Sequence, residues 1–121
     1  MQDITLETIY ALHDRIMAEC GGDGRVLSEA NLHQLVFRAN LTHDVHERAA
    51  LVFYSLCAFP AFRGGNRRTA RRLAETILAS GGHRVDLSCE ELGGLVQGID
   101  AFAVETDDVE QFLRVHSRKM H

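Results

Sequence analysis

The chain has no tryptophan, a single proline and only three cysteines in 121 residues. One proline gives no material for a Pro-rich linker, so a single domain spanning residues 1–121 is expected. Cys20, Cys57 and Cys89 are odd in number and far apart. They fit neither a disulfide framework nor a Cys-x-x-Cys metal site, and a reducing cytoplasm is the expected setting. No basic-then-apolar leader opens the sequence. The longest charge-free run, Ala49 to Phe62, is fourteen residues, too short to span a bilayer, so no membrane partner is expected. Hydrophobic residues at 45% and charged ones at 25% are enough for a real core and exclude a disordered chain.

A net charge of −4 makes nucleic acid an unexpected partner. The charge is nevertheless unevenly placed. Five of the thirteen basic residues (Arg63, Arg67, Arg68, Arg71, Arg72) fall within ten positions, whereas Asp86 to Glu110 carries eight acids and no Lys or Arg. A local basic focus on an acidic chain suits a compact anion better than a long polyanion, which needs an extended basic stripe. The plainer alternative is a solvated arginine-rich helix face, paired with acids such as Glu75 or the acidic C-terminal third.

Apolar spacing is helical throughout. Thr5 reads as the cap of a first helix through Leu6, Ile9, Leu12, Ile16 and Cys20 that Gly21-Gly22 ends. Gly22-Asp23-Gly24 reads as a turn, and Ser28 as the cap of a second helix carrying Leu32, Leu35 and Val36. A third helix begins near Asp44, is apolar on all sides from Ala49 to Ala58, and is therefore the buried central one; Pro60 breaks it. A fourth follows the loop Phe62 to Gly65, with Asn66 as its expected cap and Gly81-Gly82 as its end. Ser88-x-x-Glu91 is a capping box for a fifth helix, in which close packing is the expected reason for Gly93-Gly94. Thr106 is the expected cap of a last one, and His83 to Asp86 is a stray extended piece without an evident partner. The fold class expected is all-α, a bundle of about six helices around a buried central helix.

One place breaks a local rule. Helix starts favour acids because of the dipole, yet the fourth helix opens Asn66-Arg67-Arg68, with Arg71 and Arg72 one turn on. A bound phosphate would offset that repulsion, drawing on free backbone N–H groups and guanidinium forks, and Gly64-Gly65 would let it approach the backbone closely.

The run Phe62-Arg63-Gly64-Gly65-Asn66-Arg67-Arg68-Thr69-Ala70 resembles the signature of the Fic/Doc family, His-x-Phe-x-Asp/Glu-Gly-Asn-Lys/Gly-Arg-Thr-Ala. It is most similar to the death-on-curing (Doc) branch. Leu12-His13-Asp14 and Ser28 to Ala39 resemble that branch's first two helices, and the likeness extends over roughly residues 5 to 115. The resemblance implies a transferase fold of toxin–antitoxin type that moves a phosphoryl or nucleotidyl group from a nucleotide to a protein hydroxyl, a translation factor being the implied target of an active Doc-type member. By position it makes Phe62 the core anchor and Gly65, Asn66, Arg67 and Arg68 the phosphate- or nucleotide-binding residues. The cofactor implied is ATP or another nucleotide, with Mg²⁺ not expected to bind tightly without it. An antitoxin-like peptide or protein is the implied partner.

Two positions depart from that signature. Pro60 stands where the motif has its general-base His, and Gly64 where it has the acidic metal ligand. Pro60 cannot move a proton, and a lost base costs about 10²–10⁴-fold in rate. No catalytic residue and no metal ligand is therefore assigned. His43-x-x-His46 would place two imidazoles on one helix face, but no third ligand can be named, and His83 lies a full helix length from the motif. Thr106-x-x-x-Glu110-Gln111 comes near the family's inhibitory helix, whose Glu pairs with the motif Arg. The expectation is a pseudoenzyme or regulator that keeps the phosphate loop. The alternatives are an active transferase with relocated catalytic groups and a ligand-free protein-interaction module.

Overall fold

The computed structural model describes residues 2–120. Six helices carry most of them: α1 (Leu6–Cys20), α2 (Glu29–Asn40), α3 (Val45–Ala58), α4 (Asn66–Ser80), α5 (Cys89–Asp100) and α6 (Thr106–His116). Two short strands, β1 (His83–Val85) and β2 (Ser117–Lys119), complete the described chain. The architecture is the expected all-α bundle. None of the described helices is long and apolar enough to cross a membrane.

Capping chemistry sets several of the boundaries. Thr5 and Ser28 each accept a hydrogen bond from the backbone three residues on, starting α1 and α2. Asp44 accepts from the N–H groups of His46 and Glu47 at 2.9 and 3.0 Å to start α3. Ser88 and Glu91 form the full reciprocal box of α5. Two expected caps shift by one residue. Gly65, not Asn66, caps α4, in a left-handed conformation (φ 82°) that only the preceding glycine adopts without strain. Glu105, not Thr106, caps α6, because its N–H donates to the Asp108 carboxylate at 2.9 Å.

α3 is the central helix, in contact with α2, α4, α5 and α6. Its residues from Arg48 to Phe53 are all buried, with Leu56 and Cys57 continuing the core beneath Tyr54 and Ser55, which stay half-buried. Arg48 is a buried cation in this otherwise apolar run. Its guanidinium donates to the carbonyls of Thr42 at 3.0 Å and Gln2 at 2.7 Å, pinning the chain before α1 and the turn before α3 to one side chain.

The segment from His83 to Asp86 has a partner after all. β1 pairs antiparallel with β2, His83 opposite Lys119 and Val85 opposite Ser117. That register sets Arg84 against Arg118, and Asp86 relieves the repulsion by reaching both guanidiniums, at 3.3 and 3.2 Å. The glycines of α5 also correct the expectation. A Cβ on Gly93 or Gly94 would meet open space, whereas Gly98 is the one packed against a neighbour, Val104 of the following turn.

Candidate functional site

The loop from Phe59 to Gly65 leaves the buried end of α3 and turns into α4. Three other parts of the chain hold it. Segment 25–28 lies alongside as a short antiparallel contact: Leu27 and Ser28 N–H donate to Ala61 O at 2.7 and 3.1 Å, and Arg63 N–H donates to Arg25 O at 2.8 Å. The Asn31 amide donates to Phe59 O and Pro60 O. From below, His13 stacks on the Phe62 ring at 3.6 Å and donates through Nε2 to Gly64 O at 2.9 Å. Burying Phe62 stabilises by about 1.5–3 kcal/mol, so the loop is anchored by its own apolar residue as well.

Asn66 completes the pinning. Its Oδ1 accepts from the N–H groups of Ala61 and Phe62, both at 3.1 Å, and its Nδ2 donates to Phe62 O at 2.6 Å. The side chain thus turns back onto the loop. The N–H groups of residues 65–68 all precede the first helical bond of α4, from Thr69 N to Gly65 O, and have no partner within the helix.

An open cavity of about 570 Å³ faces this helix start. Ile16, Met17, Leu56 and Cys57 form its apolar wall, the loop from Pro60 to Gly65 its rim, and Arg63, Arg67, Arg68 and Asp100 its charged lining. The expected site residues Gly65, Asn66, Arg67 and Arg68 therefore meet at one place. Burial among apolar atoms pushes the Cys57 thiol up to about 12, so it is no nucleophile.

Most of the arginines have found acids. Arg67 pairs with Asp100 at 2.9 Å, Arg71 with Glu75 at 3.2 Å and Arg72 with Glu19 at 2.8 Å. Arg63 lies 3.9 Å from Asp23, whose carboxylate Arg25 already grips and holds down to about 2. Among the described residues Arg68 alone of the five has no carboxylate in reach. The plain reading of solvated, paired arginines holds for its neighbours, and the anion reading narrows to Arg68 and the helix start.

The other candidates do not join this site. His43 is exposed and precedes the Asp44 cap, whereas His46 is buried and bonded to Ser117 Oγ at 3.0 Å, so the two share no helix face. His83 follows the far end of α4, about 22 Å along the helix. Glu110 is bonded to Arg114 at 3.0 Å, so the near-match to an inhibitory helix places no acid on Arg68. Sequence reasoning missed the contributions of Met17 and of segment 23–28, whose contacts with the loop are non-local and leave no spacing signal.

A helical fold in which a loop of this signature leads into an arginine-rich helix start is the Fic/Doc arrangement. The Fic/DOC family model matches residues 3–78, and the chain belongs to that family. The match ends within α4, short of the residue 115 or so that the resemblance suggested. No curated protein matches the chain.

The family motif implies a Mg²⁺ held by an acid at the position of Gly64. The residues here do not fit it. A Cβ on Gly64 would lie 2.9 Å from the backbone oxygen of Asp23, so segment 23–28 fills the space a carboxylate side chain would need. The carboxylate that does line the cavity, Asp100, is engaged by Arg67.

Proposed function

We propose that this Fic/Doc protein, of the Doc branch and of toxin–antitoxin type, binds a phosphate-bearing ligand at the start of α4 and transfers phosphoryl or nucleotidyl groups negligibly. The observation that carries the reading is Arg68: among the described residues its guanidinium has no acidic partner, and it lines a cavity of about 570 Å³ together with the start of α4, where the backbone N–H groups of residues 65–68 have no described partner. The proposed loss of chemistry rests on Pro60 at the base position. His13 gives no substitute, since it is buried and its Nε2 is committed to Gly64 O.

Calorimetric titration with ATP, with and without Mg²⁺, tests the binding, and radiolabelled transfer from ATP to a cell-extract acceptor tests the chemistry. Binding without labelling is expected, and Arg68→Ala should weaken binding at least about tenfold, the effect of losing a charge-assisted hydrogen bond. Robust labelling by the unaltered protein would overturn the pseudoenzyme reading. The pairing of Arg63, Arg67, Arg71 and Arg72 with acids favours a second reading, a ligand-free interaction module. Absence of any heat of binding would select it.

A further inference from the structure

The turn that ends α5 breaks a backbone rule. Phe102 has a φ of 58°, the one non-glycine residue in the left-handed region among those described, and it is 92% exposed. Glycine or asparagine adopts that conformation more easily than a bulky aromatic does. The turn is nonetheless held firmly. Ala101 N–H donates to Gln97 O at 3.0 Å, Phe102 N–H to Ile99 O at 3.1 Å, and the N–H groups of Ala103 and Val104 both to Gly98 O, at 2.8 and 3.1 Å. Ala101 and Ala103 on either side of the ring are exposed too. An aromatic on a rigid, exposed turn loses little entropy on being covered, as an interface anchor requires.

The same helix carries a place to receive such a ring. Beside α4, α5 borders a groove of about 300 Å³, lined by Leu92, Gly93 and Val96 on one side and by Arg67, Arg68 and Arg71 on the other. Leu92 and Val96 reach it with an edge only, but at Gly93 the exposed backbone is bare and a Cβ would meet open space. Independently of the ligand proposed above, we infer that two copies of this chain pair through α5, the Phe102 turn of each lying in the α4–α5 groove of the other.

Charge and spacing both select a second copy. The three arginines and Asp100 leave the groove with a balance of two positive charges, whereas residues 101–108 carry Glu105, Asp107 and Asp108 and no base. The turn that brings the ring therefore brings the complementary charge with it. Nine residues separate Gly93 from Phe102, roughly 14 Å along a helix axis. Two antiparallel α5 helices with a twofold axis between Gln97 and Gly98 set Phe102 of each copy opposite Gly93 of the other, so both contacts form at once. Such an isologous pair closes on itself. Close approach of two helices also gives Gly93 and Gly94 a use that packing within the chain does not.

The test is sedimentation equilibrium on the full chain from about 1 μM to about 1 mM, the range of a modest interface. A monomer–dimer equilibrium is expected within it. Phe102→Gly should raise the dimer Kd at least about tenfold, the usual loss on truncating an aromatic anchor. The melting temperature of the dilute monomer should meanwhile hold or rise, because glycine suits the left-handed turn. Gly93→Leu should fill the groove and abolish the dimer, again without lowering the melting temperature of the monomer, since its side chain enters open space and leucine favours the helix. A chain that stays monomeric throughout overturns the inference and leaves the turn to a different partner. A dimer that persists unchanged in either variant overturns it too, by placing the interface elsewhere. Assemblies that keep growing with concentration overturn the twofold arrangement. None of these results bears on the ATP titration, so the proposed function stands or falls separately.

Discussion

Gly64 and Gly65 are adjacent and glycine for different reasons. Gly65 has a φ of 82° and a Cβ there would lie 2.8 Å from Met17 Sδ and 3.3 Å from His13 Nε2. Gly64 has no positive φ but sits against the Asp23 carbonyl, a backbone atom that cannot swing aside. Conformation excludes a side chain at one position and space at the other. Gly65→Ala should therefore destabilise by about 2 kcal/mol or more, combining left-handed strain with overpacking, and chemical denaturation will measure it. Gly64→Asp, the substitution that restores the motif acid, should also lower the melting temperature, because segment 23–28 must shift. A Gly65→Ala variant as stable as the original chain would show that Met17 and the loop relax freely. The buried Thr69 adds a detail at this scale: its hydroxyl has no hydrogen-bond partner among the described residues, and nothing in the structure accounts for it.

At the scale of elements, helix starts were readable because caps are local. Thr5, Ser28, Asp44 and the Ser88–Glu91 box all work as their spacing indicates. The loop motif was readable too, and the structure gathers Gly65, Asn66, Arg67 and Arg68 at one cavity. What escaped were tertiary pairings. Ser117-Arg118-Lys119 has no apolar alternation to mark it as a strand, and Asn66 is a good cap by composition that is drawn instead to the loop backbone. Arg48 escaped for the same reason, since a basic residue early in a helix normally faces water. Here it ties together chain segments at both ends of the α1–α2 pair. Arg48→Met keeps the bulk but leaves the carbonyls of Thr42 and Gln2 without their donor. A loss of about 2–4 kcal/mol is expected from these two charge-assisted bonds. Faster hydrogen exchange in α1 and the turn before α3 should accompany it, with little change in α5.

Across the whole molecule, one imidazole ties the central helix to the C-terminal strand. His46 lies buried in α3, its Nε2 bonded to Ser117 Oγ of β2 and its ring edge-on to His83 of β1 at 4.5 Å. Burial lowers its pKa below the ordinary 6.5, with His83 and Arg114 pushing the same way against the weaker opposing pull of Asp44 and Glu110. The folded protein therefore prefers His46 neutral, while the unfolded chain protonates near 6.5. Its contribution to stability is complete above that value and is lost as the pH falls below it toward the lower folded pKa. The depressed carboxylates add an acid-side loss of their own, but only below their ordinary values, 3.8 for Asp23 and Asp44 and 4.5 for Glu91. The interval between those windows is thus sensitive to His46. Between about pH 7.5 and about pH 5.5 the melting temperature should fall, and the fall should be shallower in His46→Gln, which still reaches Ser117 but does not titrate. Hydrogen exchange over the same interval should quicken first in the β1–β2 pair, because the Ser117 contact opens before the core does. A His46→Gln variant that loses stability as steeply as the unaltered chain would show that some other group governs this range.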